Sequence, residues 1–480
     1  MDAILGEITL HQRREKLGEM TKGEGLGDAY AATLSRMKAQ QRNRSKLGME
    51  VLMWVSHAER PLHIDELRHA LGVEEGSVDL NTRNIPAVET LLACSLGLVM
   101  VEKSSSTVRP VHYTLQECLS HNPNLFLKPD SVIAEVCLTY LNFRHIRSFS
   151  PALRSVPPTA PFIEYASCYW GTHARRGTTE SVKTLALKLL DGYDKHISSK
   201  ILLLHGVSLR KQPFDSEDTP RGFTGLHGAA YHGCVEITIA LLERNRCDVQ
   251  ATDLDGKTAI TWAARNGHER VVRILLKWND ANPDKPDKWN RTPLSRAAEN
   301  GHEGVMRILL QRNDVNPNTT DTAYSRTPLL RAAENGYEGV VRMLLEWNDI
   351  NPDQADERNY TLLSWMARNG HEGIVRILLE RSDVNPNIAD TEYGRTPLWL
   401  AAENGHEEVV RMLLEQNKVI PDKADMWRQT PLSRAAENRY GEVVRMLLQR
   451  NDVNPNIADT DSLSMAEHRF RWLPRIGTRG

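Results

Sequence analysis

The sequence contains no apolar run of about 18 residues, so no segment is long enough to cross a bilayer as a helix. The opening Met1-Asp2-Ala3-Ile4-Leu5-Gly6-Glu7 lacks the basic-then-apolar pattern of a secretory leader, and a cytoplasmic location is expected. Cysteine is sparse, with six residues at Cys94, Cys118, Cys137, Cys168, Cys234 and Cys247. None forms a Cys-x-x-Cys pair and no histidine pair stands near them at zinc spacing, so they read as idle thiols of a reducing compartment. Neither charge sign dominates: 60 Lys and Arg face 62 Asp and Glu, a net charge of −2. That balance gives no broad field to draw in nucleic acid or an anionic membrane, and neither is expected as a partner. Catalytic signatures are missing too. Gly-x-Ser-x-Gly and His-Glu-x-x-His do not occur, and no cleft of paired carboxylates is evident. No catalytic residue, metal ligand or cofactor is assigned, and the chain is not expected to be an enzyme.

What the chain has is repetition. Arg291-Thr292-Pro293-Leu294 runs on to Gly301-His302, and the same phrase returns from Arg326 and Arg395. Looser copies begin at Phe223, Lys257, Tyr360 and Gln429, with 34 or 35 residues from one to the next. A fixed period of that length means stacked helical units rather than one closed globule. Seven units are expected from about 223 to 456. With 480 residues in all, two or three domains are expected.

One unit serves for all. Asp287-Lys288-Trp289-Asn290 reads as a tight polar tip. Thr292-Pro293 opens a helix, with Thr as the cap and Pro in the first turn. Leu294, Ala297 and Ala298 give that helix a small apolar face, which lets a neighbour approach closely. Gly301 ends it where a left-handed residue is needed. A second helix follows with Val305, Ile308, Leu309 and Leu310 on its apolar side. The fifth unit departs by having Leu362 for Pro and Met366-Ala367 for Ala-Ala, and the seventh by having Arg439 for Gly. Two patterns mislead. Gly256-Lys257-Thr258 resembles the end of a phosphate loop, but Ala251 stands where its first Gly belongs. His268, His302, His371 and His406 recur, but stacked units lie ~10 Å apart, too far for a shared cation.

The unit resembles the ankyrin repeat, whose Thr-Pro-Leu-His-x-Ala-Ala-x-x-Gly-His pattern is followed closely from residue 291. The His of that pattern is present as His227 in the first unit and replaced by Ser or larger residues later. The resemblance implies a mainly α fold, an ankyrin-repeat solenoid, that binds a protein partner through its hairpin tips and the exposed side of each first helix. Those positions hold Lys288, Trp289, Arg291, Glu299, Tyr324, Arg326, Glu334, Arg358, Arg368, Tyr393, Arg395, Glu403 and Trp427. A largely basic row should therefore run beside a largely acidic one, with aromatics along the edge. Arg and aromatic residues are the usual anchors of interfaces.

The N-terminal half has helical patterns around Tyr30-Leu34-Met37 and Leu47-Val51-Leu52-Val55, a third from Arg60-Pro61 to about Leu71, and a fourth over Ile85–Cys94. Leu96–Glu102 alternates as a strand, Ser104-Ser105-Ser106 turns, and Val108–Tyr113 returns. Thr114-Leu115-Gln116-Glu117 has the spacing of a capping box. Helices followed by one hairpin make a winged-helix-like domain. Only Lys103 and Arg109 give the wing positive charge, which speaks against DNA binding.

Trp54-Val55-Ser56-His57-Ala58-Glu59-Arg60-Pro61-Leu62 and Val111-His112-Tyr113-Thr114-Leu115-Gln116-Glu117 resemble the winged-helix region of fungal NACHT proteins, NLR-type nucleotide-switch receptors. The resemblance would give His112 a phosphate-sensing, cofactor-binding role. The phosphate loop and the magnesium-binding acidic strand of that family have no counterpart in the sequence, so His112 is expected to be vestigial and structural. The chain then reads as the C-terminal part of such a receptor, a non-catalytic scaffold or recognition module. The alternative is a switch that retains ADP or ATP binding at the winged helix. The expected division is 1–27 as a remnant helical segment, 28–150 winged-helix-like, and 151–222 a helical linker and N-terminal cap. Residues 223–456 follow as seven repeats, and 457–480 as a partial repeat and disordered tail.

Overall fold

The computed structural model describes residues 24–151, 153, 155–206, 221–244, 247–278, 281–347 and 350–457. The expectations for residues 1–23, for the part of the cap segment at 207–220 and for the tail beyond 457 lie outside the described residues. Among the described residues, twenty-four α-helices, three short 3-10 helices and one short hairpin make up the regular structure. The chain divides into two compact units, Met1–Leu254 and Asp255–Gly480.

The N-terminal unit begins with α1 (Glu24–Lys38), α2 (Arg42–His57), α3 (Ile64–Leu71) and α4 (Val88–Cys94). Strands β1 (Val99–Val101) and β2 (Val108–Pro110) pair antiparallel, Met100 opposite Arg109, and α5 (Tyr113–Ser120) follows. Backbone bonds from Val108 N–H to Leu62 O and from Ile64 N–H to Ser106 O lay a third extended segment along the hairpin. This is a winged helix. Three expectations need correction in detail. The fourth helix starts at Val88 rather than Ile85, because a residue before proline is driven to extended backbone and Pro86 follows Ile85. The strands are shorter than the alternation suggested, since Leu96 and Gly97 take positive φ of 46° and 79° and break the run. The last helix starts at Tyr113, capped by His112 and not by Thr114.

Beyond the wing come α6 (Pro129–Leu141), α7 (Arg144–Arg147), α8 (Ile163–Arg176), α9 (Glu180–Leu190) and α10 (Ile197–Gly206). Trp54 on α2 meets Phe162 edge-on at 5.6 Å and Tyr165 on α8 at 5.9 Å, and all three are buried. Tyr165 also takes the N–H of Glu59 on its hydroxyl at 3.0 Å. The aromatic cluster thereby joins the winged helix to the helices after it. The first helical hairpin of the repeat series, α11 (Gly225–His232) and α12 (Val235–Glu243), packs against α9 in this same unit. Contact is close enough that a Cβ on Gly225 would meet Leu190 O at 2.4 Å. His227 is buried and receives the N–H of Thr224 on Nδ1 at 3.1 Å, completing a capping box.

The C-terminal unit holds six further hairpins: α13 (Ala259–Arg265) with α14 (Glu269–Leu276), α15 (Pro293–Glu299) with α16 (Glu303–Leu310), and α17 (Pro328–Glu334) with α18 (Glu338–Leu345). Then come α19 (Leu362–Asn369) with α20 (Glu372–Leu379), α21 (Pro397–Asn404) with α22 (Glu407–Leu414), and α23 (Pro431–Glu437) with α24 (Gly441–Leu448). Each first helix is capped by a Thr: Thr292 Oγ1 accepts the N–H of Ser295, and Thr361 that of Ser364. Gly301 leaves the helix at φ 73°, and Arg439 occupies the same left-handed place at φ 64°. Ala297, Ala298, Val305 and Leu309 are fully buried, forming one layer of a core that runs from hairpin to hairpin within the C-terminal unit.

Candidate ankyrin-repeat binding surface

From Asp287 onward, each tip in the C-terminal unit is organised by one aspartate. Asp287 Oδ1 accepts the N–H groups of Trp289 (2.9 Å) and Arg291 (3.0 Å), which bends the chain through Asn290 at φ 58°. Its Oδ2 takes Arg291 Nε at 3.1 Å and Arg296 Nη2 at 2.7 Å, with the carboxylate out of solvent. Asp321 repeats the pattern with the N–H groups of Ala323 and Tyr324 and the guanidinium of Arg331. Asp356 bonds the N–H groups of Arg358 and Tyr360 and takes Trp365 Nε1 at 3.1 Å. Asp390 accepts from the N–H of Tyr393 and from Arg395 Nε at 3.0 Å. Burial alone would raise the carboxyl of Asp321, but the tip N–H groups and Arg331 outweigh it and hold the group below its ordinary range.

The tips are also tied to each other. Lys288 N–H donates to Asp255 O at 2.8 Å, Thr322 to Trp289 O at 3.0 Å, Thr391 to Arg358 O at 3.0 Å and Met426 to Tyr393 O at 2.8 Å. Among the described residues, no backbone bond of this kind joins the tip at Tyr324 to the next at Arg358.

On this frame the arginine before each Thr lies over the tip aromatic of its own unit. Arg291 stands 4.4 Å from the centre of Trp289, Arg326 4.5 Å from Tyr324 and Arg395 4.2 Å from Tyr393. Such pairs contribute ~0.5–1 kcal/mol at exposed sites and fix the direction of both side chains. The aromatic faces remain open: Trp289 is 39%, Tyr324 50% and Trp427 42% exposed. Tyr393 stacks on Trp427 of the next unit at 5.3 Å and 23°.

The acidic positions of the first helices close onto arginines. Glu299 pairs with Arg296 at 3.0 Å and reaches Arg331 at 3.8 Å, Glu334 pairs with Arg326 at 3.1 Å, and Glu403 with Arg434 at 2.9 Å. Burial raises the carboxyl of Glu334 and Arg326 opposes it. Lys288 and Arg368 point to solvent. Among the described residues, the Arg358 side chain is ion-paired with Glu392 alone, at 3.9 Å.

Six of the residues singled out in the sequence come together. Arg358, Arg368, Tyr393, Arg395, Glu403 and Trp427 line a cavity of about 570 Å³ with Tyr360, Glu392, Trp399, Gln429 and Arg434. Lys288, Trp289, Arg291, Glu299, Tyr324, Arg326 and Glu334 continue the same row through earlier units. The buried Trp399, whose Nε1 donates to Gln429 O at 2.9 Å, and the ion-paired Arg296, Arg331 and Arg434 were missed. Their signal was available: Asp255, Asp287, Asp321, Asp356, Asp390 and Asp425 recur with the period, and a recurring buried acid needs a basic or N–H partner.

His112 lies in the N-terminal unit. It caps α5, with Nδ1 accepting from Thr114 N–H at 3.3 Å and 2.9 Å from Thr114 Oγ1, and its ring lies 4.3 Å from Tyr113. In the wing, Arg109 is paired with Glu102 at 3.1 Å.

The profile of ankyrin repeats matches residues 173–287, 276–356, 329–424 and 363–459. The profile of the GPI inositol-deacylase winged helix domain matches residues 34–130. Among solved structures, the crystal structure of the human ASB11 ankyrin repeat domain is similar at 21% identity and a TM-score of 0.40, covering 48% of this chain and 98% of that one. No curated protein matches the chain. Ankyrin repeats are a protein–protein interaction module, and here they follow a winged-helix domain. With repeat matches running from 173 to 459 of 480 residues, more than half of its length, the chain belongs to the ankyrin-repeat family.

Proposed function

We propose that the chain is a non-catalytic recognition scaffold whose partner, a protein, docks on the row of hairpin tips and first-helix side chains from Lys288 to Trp427. The observation that carries this reading is the repeated stacking of an arginine on a tip aromatic, at the exposed Trp289 and Tyr324 and the half-buried Tyr393. Rigid aromatic area with a fixed guanidinium beside it loses little conformational freedom on binding and anchors interfaces well. In this reading 223–456 works as seven repeats and 151–222 as the cap that starts the stack. The winged helix at 28–150 is that of a fungal, cytoplasmic NLR-type receptor, and it would have coupled recognition to a nucleotide domain. The capping role of His112 supports a structural use of that residue over a phosphate contact.

The test is affinity capture from a fungal extract with the full chain and with a variant carrying Trp289→Ala, Tyr324→Ala, Tyr393→Ala and Trp427→Ala. Loss of the captured protein, with an unchanged thermal melt, is the expected result. Undiminished capture would refute the docking face.

A further inference from the structure

Resting on that reading of the row, we propose that the cavity in the fifth, sixth and seventh units takes an acidic peptide segment of the partner, with its carboxylates on Arg358 and Arg368. Four arginines line this cavity against two glutamates. Of the glutamates, Glu403 is engaged by Arg434 at 2.9 Å, and Glu392 stands off at 3.9 Å from Arg358. Arg395 is anchored from below by Asp390 and the Tyr360 hydroxyl. Two cations are left with donors to spare. Arg358 has a side chain 64% exposed and, among the described residues, a single long ion pair. Arg368 is exposed and has no ion pair among the described residues; its guanidinium lies 5.9 Å from the Trp365 ring. A guanidinium is weakly hydrated and presents a fork of donors that matches a carboxylate, so an open arginine beside aromatic walls suits that group best.

The aromatic side of the cavity is equally set. Tyr393, stacked between Arg395 and Trp427, gives a rigid edge along which an extended segment can lie. A peptide fits better than a nucleic acid strand. Glu334, Glu392 and Glu403 interrupt the row, and a phosphodiester chain has a charge at every link that would meet them. Acidic side chains can be spaced so that only the arginines are touched.

Fluorescence anisotropy with the full chain tests this. The probes are a fluorescein-labelled peptide of alternating Glu and Trp, its counterpart with Lys for Glu, and a labelled oligothymidylate. The Glu peptide is expected to bind, more weakly as salt rises. Arg358→Gln and Arg368→Gln should each weaken it about tenfold. Arg342→Gln, on α18, should leave it unchanged. Equal binding of the Lys peptide, preference for the oligothymidylate, or unchanged affinity in the Arg358→Gln/Arg368→Gln double variant overturns the proposal. If the Glu peptide fails to bind while partner capture still depends on the tip aromatics, the acidic segment is wrong and the docking face stands. If capture ignores the tip aromatics, the docking face itself falls.

Discussion

The imidazole of His302 lies on the α-carbon of Gly267, one unit back, and its Nε2 bonds Arg265 O at 2.9 Å. A Cβ at Gly267 would stand 2.6 Å from His302 Nδ1. The same fit recurs with Tyr337 on Gly301, His406 on Gly370 and Tyr440 on Gly405. The recurring Gly-His is thus an interlock between neighbours, in which the glycine supplies both the left-handed turn and the space for the next ring. Gly336 is the exception: it has φ +74° but nothing within 4 Å. Gly267→Ala should lose about 1 kcal/mol to the left-handed backbone and about 1–3 kcal/mol more to the displaced ring. Gly336→Ala should lose only the first amount. Urea melts of the two variants check this, and equal losses would mean that the ring contact contributes nothing.

Arg439 at φ 64° carries a side chain where the other units have glycine. No further described ring rests on it, so nothing but backbone strain distinguishes it from glycine. Arg439→Gly should raise the urea midpoint of the C-terminal repeats by a stability gain of about 1 kcal/mol. A lowered midpoint would mean that the arginine side chain holds the last unit together.

Asp287 joins four donors in one buried place. Removing one partner of a buried pair strands the other, which costs about 3–5 kcal/mol. Asp287→Ala should therefore destabilise the C-terminal unit by at least the lower figure, while Asp314→Ala, on an exposed pair with Arg312, should change stability by under about 1 kcal/mol. Thermal melts monitored by circular dichroism separate the two.

Asp353 is a carboxylate at a place better suited to an amide. Its Oδ2 accepts Asn385 N–H at 2.9 Å, but Oδ1 is buried with no hydrogen-bond partner among the described residues. In the next unit the equivalent Asn387 uses both ends, accepting from Ile420 N–H and donating to Lys418 O at 2.7 Å. Burial pushes the Asp353 carboxyl up; the Asn385 N–H opposes this and the Asp383 charge adds to it. The folded chain therefore keeps this proton to higher pH than the unfolded chain, and ionisation removes stability as pH rises through the folded value. Asp353→Asn should stabilise by about 1 kcal/mol at neutral pH, and the gain should shrink as pH falls toward ~4. A gain independent of pH would show that the charge is not what Asp353 contributes.

Much of this fold can be read in the chain because each unit repeats its own instructions. Thr-Pro marks the helix start, Gly the left-handed stop, and the small alanines the close packing. The tip residues could be read for the same reason: Trp289, Tyr324, Tyr393 and Trp427 stand at one phase of the period. What could not be read depends on neighbouring units meeting at a set distance. That Glu403 is taken by Arg434 of the following unit, leaving Arg368 open, needs the stacking distance as well as the spacing. Trp399 took a position held by Ser295, Ser364 and Ser433 in three other units and by His227, Thr261 and Leu330 in the rest, so the period gave no warning of a buried indole in the cavity. In the winged helix, Leu96 and Gly97 cut the strand short, a backbone choice that apolar alternation cannot signal.

The central claim is that partners touch the tip row and not the second helices. Photo-crosslinking tests it most directly, with benzoylphenylalanine placed at Tyr324 or Trp427 on the row, and at the exposed Arg342 or Arg411 on α18 or α22. Crosslinks to the captured protein from the first pair alone are the predicted result. Crosslinks from Arg342 and Arg411, with none from Tyr324 and Trp427, would contradict it.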